Sequence, residues 1–408
     1  MARDGFRIMD SDIHLCEPPD LWSKYIDPKY KHRVRGSQLA FERVLSYFQF
    51  DDKVMPAVFG KVPPGVTPDN MDKWMASIPQ IDLVGKAAAA KYKEYFDLGW
   101  SGHAFLKAMD LEGVDGTVIF PTTGMLAIGM RPDEIEPEFA AAIARGYNDW
   151  LYEFCQADPK RLYGAAMVSV HTVENAMAET RRAIDELGFR SVLMRPNLVH
   201  GRNWYDPYYD PLWSLIEEMD IPLTFHEGIG ATLPHAGDCF RGNLFLHHVA
   251  CHPMEMMFAT MSFCGGGILE KHPKMRVAFL EGNVGWLPWL LDRLDEHYEI
   301  QYGVNKAMLP HKPSEYWKRQ CFTSLDSDEH GNARVIDEIG DTNFVFSTDF
   351  PHPDAKFPRA VKTFLEEKHI SDESKRRILW DNCRRLYGMP LENTPSEVGV
   401  VRPSEMAT

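Results

Sequence analysis

Near the N-terminus, the stretch FRIMDSDIHLCEP at 6–18 closes a short apolar run on Asp10, Asp12 and His14, set two apart. On a strand, residues two apart share a face, so Asp12 and His14 aim a carboxylate and an imidazole at one point. Such a pair suits a borderline divalent metal: zinc, manganese or iron. The competing reading is an Asp-rich turn with a capped, inert histidine. Later apolar runs end in similar chemistry: Arg195 and Asn197, His226 and Glu227, Glu281 and Asn283, Ser324 and Asp326, and Asp349 followed by His352. Ionisable groups taken out of water are costly unless paired or metal-bound, so their recurrence points to one shared site. His252, ahead of Pro253, is a further pocket candidate. His247, His248 and His272 read as surface histidines around a helix start.

The elements that must position these groups begin to alternate at residue 114. Apolar runs occur at 114–121, 163–170, 189–196, 221–228, 275–282, 319–326 and 343–352. Helical spacing fills the gaps at 136–156, 173–187, 208–219, 253–271, 285–300 and 332–339, and recurs at 357–368 and 372–387. With the N-terminal run this makes eight strands, nearly all followed by a helix. Near-continuous apolar strands between helices mean a parallel sheet covered on both faces. Eight such units predict an α/β fold, a closed (β/α)8 TIM barrel, whose active site lies at the carboxyl ends of the strands. An open nucleotide-binding sheet would need a glycine-rich loop after its first strand, and none is present. One domain is expected over 1–390, with 19–113 as an insertion or cap after the first strand and 391–408 as a tail. The insertion holds an apolar patch at 44–50, the segment KVPPGVTPDN and an alanine-rich helix near 86–95. Its Trp22, Tyr25, Trp74 and Trp100 are expected to roof the pocket.

Composition narrows the function. The net charge of −15 argues against a nucleic-acid partner, which needs a basic face. Seven scattered cysteines without a CxxC pair argue against a disulfide framework or a cysteine zinc cage. The apolar runs are too short to span a bilayer, and no signal peptide pattern opens the chain, so a cytoplasmic protein is expected.

Five segments together carry a resemblance. They are DSDIHLCEP, DPLWSLIEEMDIPLTFHEG, GGGILEKHPKMRVAFLEGNVGWLP, FSTDFPHPDAKFP and ILWDNCRRLYG. The chain resembles the amidohydrolase superfamily in its amidohydrolase-related branch. That branch includes aminocarboxymuconate-semialdehyde, γ-resorcylate and 5-carboxyvanillate decarboxylases beside hydrolases. The resemblance implies metal ligands at Asp12, His14, His226 and Asp349, with Asp12 standing where the family has its first histidine. Glu281 stands where related decarboxylases carry a histidine, which leaves it as an extra ligand, bridging a second metal, or as a proton carrier. The implied cofactor is one divalent metal, with a second through Glu281. Asp349 would move the proton of an activated water, assisted by Glu281 or His252. Arg195 or Arg293 would hold a substrate carboxylate, unless each pairs with a neighbouring acid, and His352 would orient a carboxylate. The first expectation is a metal-dependent hydrolase in which water attacks an amide, ester or thioester carbonyl of a small molecule. The alternative is non-oxidative decarboxylation of an aromatic or unsaturated acid. The family also implies a homodimer.

Overall fold

The computed structural model describes residues 3–36, 48–51, 53–55, 65–67, 70–77, 79–300 and 309–390. Residues 44–47, most of KVPPGVTPDN and the tail after 390 lie outside them. The strands in chain order are β1 (Met9–His14), β2 (Val34–Gly36), β3 (Phe48–Phe50), β4 (Lys53–Met55), β5 (Gly116–Phe120), β6 (Leu162–Met167), β7 (Ser191–Met194), β8 (Pro222–Phe225), β9 (Arg276–Phe279), β10 (Cys321–Asp326) and β11 (Phe344–Ser347). Strands β2 to β4 form a small antiparallel sheet between the first two barrel strands. The other eight form one parallel sheet in the order β1-β5-β6-β7-β8-β9-β10-β11, with helices between them. This is the expected (β/α)8 barrel.

Its two ends meet through individual hydrogen bonds. Ser11 Oγ donates to the Phe346 carbonyl at 2.7 Å, the His14 amide to the Phe350 carbonyl at 2.8 Å, and the Asp349 amide to the Asp12 carbonyl at 3.2 Å. Buried Asp10 reinforces this seam by accepting from the Thr348 hydroxyl and, at 3.2 Å, from its amide. The strands alternate two buried faces. Met9, Val118, Ala165, Leu193, Ala278, Phe322 and Val345 come from nearly every barrel strand and form one cluster with Trp380 and Leu386, filling the interior. A larger cluster packs the outer strand faces against the helices.

Several helices start where a side chain satisfies an unpaired amide. Ser101 caps Gly102–Glu112, Thr172 caps Val173–Asp185 and Asn243 caps Leu244–Gly265. The last begins well before the expected 253, because Asn243 supplies the cap and Pro253 is carried inside the helix. His247 is therefore a buried helix residue and not a surface group near a helix start, His272 is buried as well, and His252 is buried at the cavity as expected. The expected aromatic roof is corrected for Trp22 and Trp100. Trp22 and Trp100 are 2% exposed and lie in the outer core, because packing rings against rings removes more apolar surface than lining a polar pocket. Trp100 stacks on Tyr95 and meets Tyr92, Phe105 and Phe350. The insertion reaches the site differently: the Tyr92 hydroxyl donates to the His352 carbonyl at 2.9 Å.

The seam yields a test. Thr348→Val removes the hydroxyl that donates to Asp10 Oδ2 and leaves that one buried carboxylate oxygen unpaired, at a cost of about 1–3 kcal/mol. Urea denaturation should show that loss, together with weaker metal retention, since the seam fixes both Asp12 and Asp349. Unchanged stability would mean that Asp10 finds another partner.

Candidate metal centre

Asp12 and His14 leave β1 beside each other despite an irregularity. Asp10 pairs with Thr117 and Ile13 with Ile119, so β1 carries one extra residue across this step. Such a bulge re-aims side chains near barrel rims. His14 Nε2 ends 3.3 Å from Asp12 Oδ1, and His226 Nε2, just beyond β8, lies 3.2 Å from Asp12 Oδ2. The two Nε2 atoms are 2.9 Å apart. Each ring's Nδ1 faces a carbonyl, that of Pro121 at 3.0 Å and that of Glu227 at 2.6 Å, and must donate there. That fixes both tautomers and turns two Nε2 lone pairs toward each other, which only a proton or a metal cation between them can relieve.

Two further carboxylates join from the opposite side. Glu281 Oε2 lies 2.8 Å from His226 Nε2, and Asp349 Oδ1 lies 3.6 Å from His14 Nε2. Both residues, with Asn283, adopt left-handed backbone at φ 51°, 54° and 55°. Gly282 sits between two of them, where a Cβ would lie 2.7 Å from Met256 Cγ. His352 completes the group: its Nδ1 is 2.7 Å from Asp349 Oδ1, and its ring stacks on His14 at 4.2 Å.

The donors fit a divalent cation. Both oxygens of buried Asp12, Oε2 of Glu281 and Oδ1 of Asp349 have no hydrogen-bond partner although they are shielded from solvent. Orphaned buried carboxylate oxygens facing imidazole lone pairs can coordinate a cation, which a packed core has no use for. Two ligand groups can be drawn here, Asp12 with His14 and His226, and His14 with Glu281, Asp349 and His352.

Protonation follows the same geometry. Burial would raise the Asp12 carboxyl, but the charge of His226 and the contacts with both imidazoles hold it well below the usual carboxylate range. Burial opposes charge on His226 too, yet Asp12 and Glu281 lift its imidazole well above the ordinary value. His14, buried and flanked by His352 and His226, falls to about 4. Glu281 is pushed up to about 7 by burial and by Asp349, against the pull of His226. His352 rises to about 9 because Asp349 outweighs its burial.

Above these groups opens a cavity of about 370 Å³. Its walls include His248, His252, Glu281, Asp326, Asp349 and Lys356. His252 Nε2 stands 3.3 Å from Glu281 Oε1. The two arginines are placed elsewhere. Arg195 is buried with its Nη2 donating to Glu227 Oε1 and to the Gly228 carbonyl, both at 2.8 Å. Arg293 is half exposed on the outer helix Leu287–Ile300 and pairs with Glu296, one turn on, at 3.1 Å. The expectation that either holds substrate is corrected to structural pairing for both. Asp326, read from the sequence as a strand-end group of the shared site, lines this cavity, whereas sequence reasoning missed His248, for which the spacing of four to His252 was the available signal.

An α/β barrel with carboxylates and imidazoles converging at the carboxyl ends of its strands defines a (β/α)8-barrel enzyme with a candidate metal centre. The chain belongs to the amidohydrolase family, whose model matches residues 106–389. It is 24% identical to the 2-amino-3-carboxymuconate-6-semialdehyde decarboxylase of Dictyostelium discoideum, over 71% of this chain and 77% of that protein. It is 26% identical to the γ-resorcylate decarboxylase of Rhizobium sp. (strain MTP-10005), over 69% of this chain and 85% of that one. Among solved structures it is similar to the dihydroxybenzoic acid decarboxylase of Polaromonas sp. JS666 with bound manganese and the inhibitor 2-nitroresorcinol. That match has a TM-score of 0.62 and 18% identity, covering 95% of this chain and 97% of that one. Among the described residues, no helix is long and apolar enough to cross a membrane.

Two measurements test the centre. His226→Ala should lose bound metal and activity together, read by metal analysis after dialysis; a variant with full metal content would exclude His226 as a ligand. The metal must also displace the proton that Asp12 and Glu281 hold on His226. Apparent affinity should therefore rise about tenfold per pH unit between about pH 6 and pH 8, with one proton released per metal bound. A flat profile in a competitive chelator assay would rule out that exchange.

Proposed function

We propose that the chain is a divalent-metal-dependent, non-oxidative decarboxylase of a small aromatic or unsaturated carboxylic acid with a hydroxyl beside the carboxylate. Asp12, His14, His226 and Asp349 are the proposed ligands, with zinc, manganese or iron as the cation. When bound, the cation supplies Lewis-acid charge for gripping the carboxylate and its neighbouring hydroxyl.

The observation that carries this reading is the setting of Glu281. Its carboxyl, pushed up to about 7, faces the cavity between His226 at 2.8 Å and His252 at 3.3 Å. Burial favours its protonated form, and its place at the cavity lets it hand that proton to a substrate bound there. As the bond to the carboxylate carbon breaks, carbon dioxide leaves and the bonding pair stays on the ring or vinyl carbon. Glu281 delivers its proton to that carbon and regains one from solvent through the cavity, while His252, whose burial keeps its imidazole neutral, holds Oε1 in place. His352 holds Asp349 in place at 2.7 Å, and the fixed tautomers of His14 and His226 keep both Nε2 atoms directed inward. The decarboxylases named above support the same reading, since each is matched over more than three quarters of its own length.

Hydrolysis, the first expectation from the sequence, becomes the second reading. What favours it is Asp349, whose carboxylate lies at the cavity wall with Oδ1 2.7 Å from His352 Nδ1 and can accept a proton from water.

The two readings separate in one experiment. Metal-loaded protein is incubated in deuterium oxide with hydroxybenzoic acids and, separately, with amide, ester and thioester substrates. Decarboxylation should release carbon dioxide and leave one deuterium at the vacated carbon; turnover of the second panel alone would overturn it. Glu281→Gln should keep its metal and lose at least about a hundredfold in turnover, the usual size of a general-acid contribution.

A further inference from the structure

The helix Leu244–Gly265 places His248 and His252 one turn apart, with ring centroids 4.6 Å from each other. Two imidazoles at this spacing share a helix face, the arrangement by which helices present paired nitrogen ligands to zinc. A carboxylate faces them: ligand atoms of His248, His252 and Glu281 all lie within 4.8 Å of one another. Glu281 divides its oxygens between two settings, Oε2 toward His226 in the first centre and Oε1 toward His252 here. His252 Nδ1 points at the His248 carbonyl at 3.5 Å, which leaves Nε2 for Glu281 or for a metal. The surrounding cavity favours a cation. Glu281, Asp326, Asp328, Asp349 and Asp354 line it, while Lys356 is drawn to Asp328 at 2.7 Å.

We propose a second divalent-cation site formed by His248, His252 and Oε1 of Glu281, separate from the first centre but joined to it through the Glu281 carboxylate. Two nitrogens and one oxygen select zinc over harder cations. The inference about its consequence rests on the decarboxylase reading: a zinc ion here occupies the proton carrier and its partner, so filling the site inhibits. The chain is then active with one metal and suppressed by excess zinc, without any change of fold.

The test uses chelator-stripped protein reloaded with one equivalent of zinc and titrated with zinc chloride by calorimetry. A second, weaker event of one zinc per chain is expected. His248→Ala and His248→Gln should keep the first equivalent and bind the second at least about tenfold more weakly. Carbon dioxide release by the wild type should fall in step with second-site occupancy, while each variant, measured against its own zinc-poor rate, resists the same zinc. Absence of a second event in the wild type overturns the site, as does an event unchanged in both variants. A protein that takes up the second zinc through His248 but decarboxylates no acid offered to it would uphold the site and overturn the proposed activity.

Discussion

Two imidazole nitrogens 2.9 Å apart, each with its proton committed to a carbonyl on the far side of the ring, cannot rest against each other without positive charge between them. Much of the barrel mouth follows from this constraint. Asp12 supplies the counter-charge from below, buried and without hydrogen bonds of its own. Glu281 and Asp349 close from the cavity side. A lone buried carboxylate would cost several kcal/mol, and a lone pair of facing imidazoles would swing apart. Together they form a socket whose energy is recovered when a cation enters.

Holding the socket open requires backbone that regular strands do not offer. The extra residue in β1 lets Asp12 and His14 serve the site while Asp10 turns to Thr348 and locks the seam. Glu281, Asn283 and Asp349 adopt left-handed backbone, which costs a non-glycine residue about 1–2 kcal/mol each. Neighbouring bonds compensate: the Glu281 amide donates to Ser324 Oγ at 2.9 Å, and Asn283 donates to Asp326 Oδ2 at 2.7 Å. Strain concentrated at the rim of an otherwise regular barrel is characteristic of a working site.

The barrel was legible in the sequence because strands buried on both faces are written as unbroken apolar runs, and seven of the eight runs contain their observed strand, β6 starting one residue before its run. Asp12, His14, His226, Glu281 and Asp349 were legible for a related reason: each is a charged or ionisable interruption where such a run stops. Arg195 follows the same rule, yet pairs with Glu227 from the next barrel strand, because run ends do not record which neighbour a long side chain will meet. Pro253 was read as a helix start, which hid the face shared by His248 and His252; the Asn243 cap lies ten residues earlier in a stretch with no other start signal. The insertion's aromatic rings were legible as a group but not in direction. Their burial against Phe350 depends on contacts far apart in the chain.

Glu281, at the strand end where the sequence resemblance implies a histidine, bears on whether decarboxylation is open to this chain. An imidazole is suited to proton delivery because it titrates near neutrality, at about 6.5 unperturbed. A carboxyl ordinarily titrates some two units lower and would be empty of its proton when needed. Burial and the charge of Asp349 lift Glu281 to about 7, into the imidazole's range. His252, 3.3 Å away, supplies the nitrogen that the substitution removed from the strand end. The exchange also leaves one carboxylate reaching both the first centre and the His248–His252 face, a connection that a single imidazole at this position could not make.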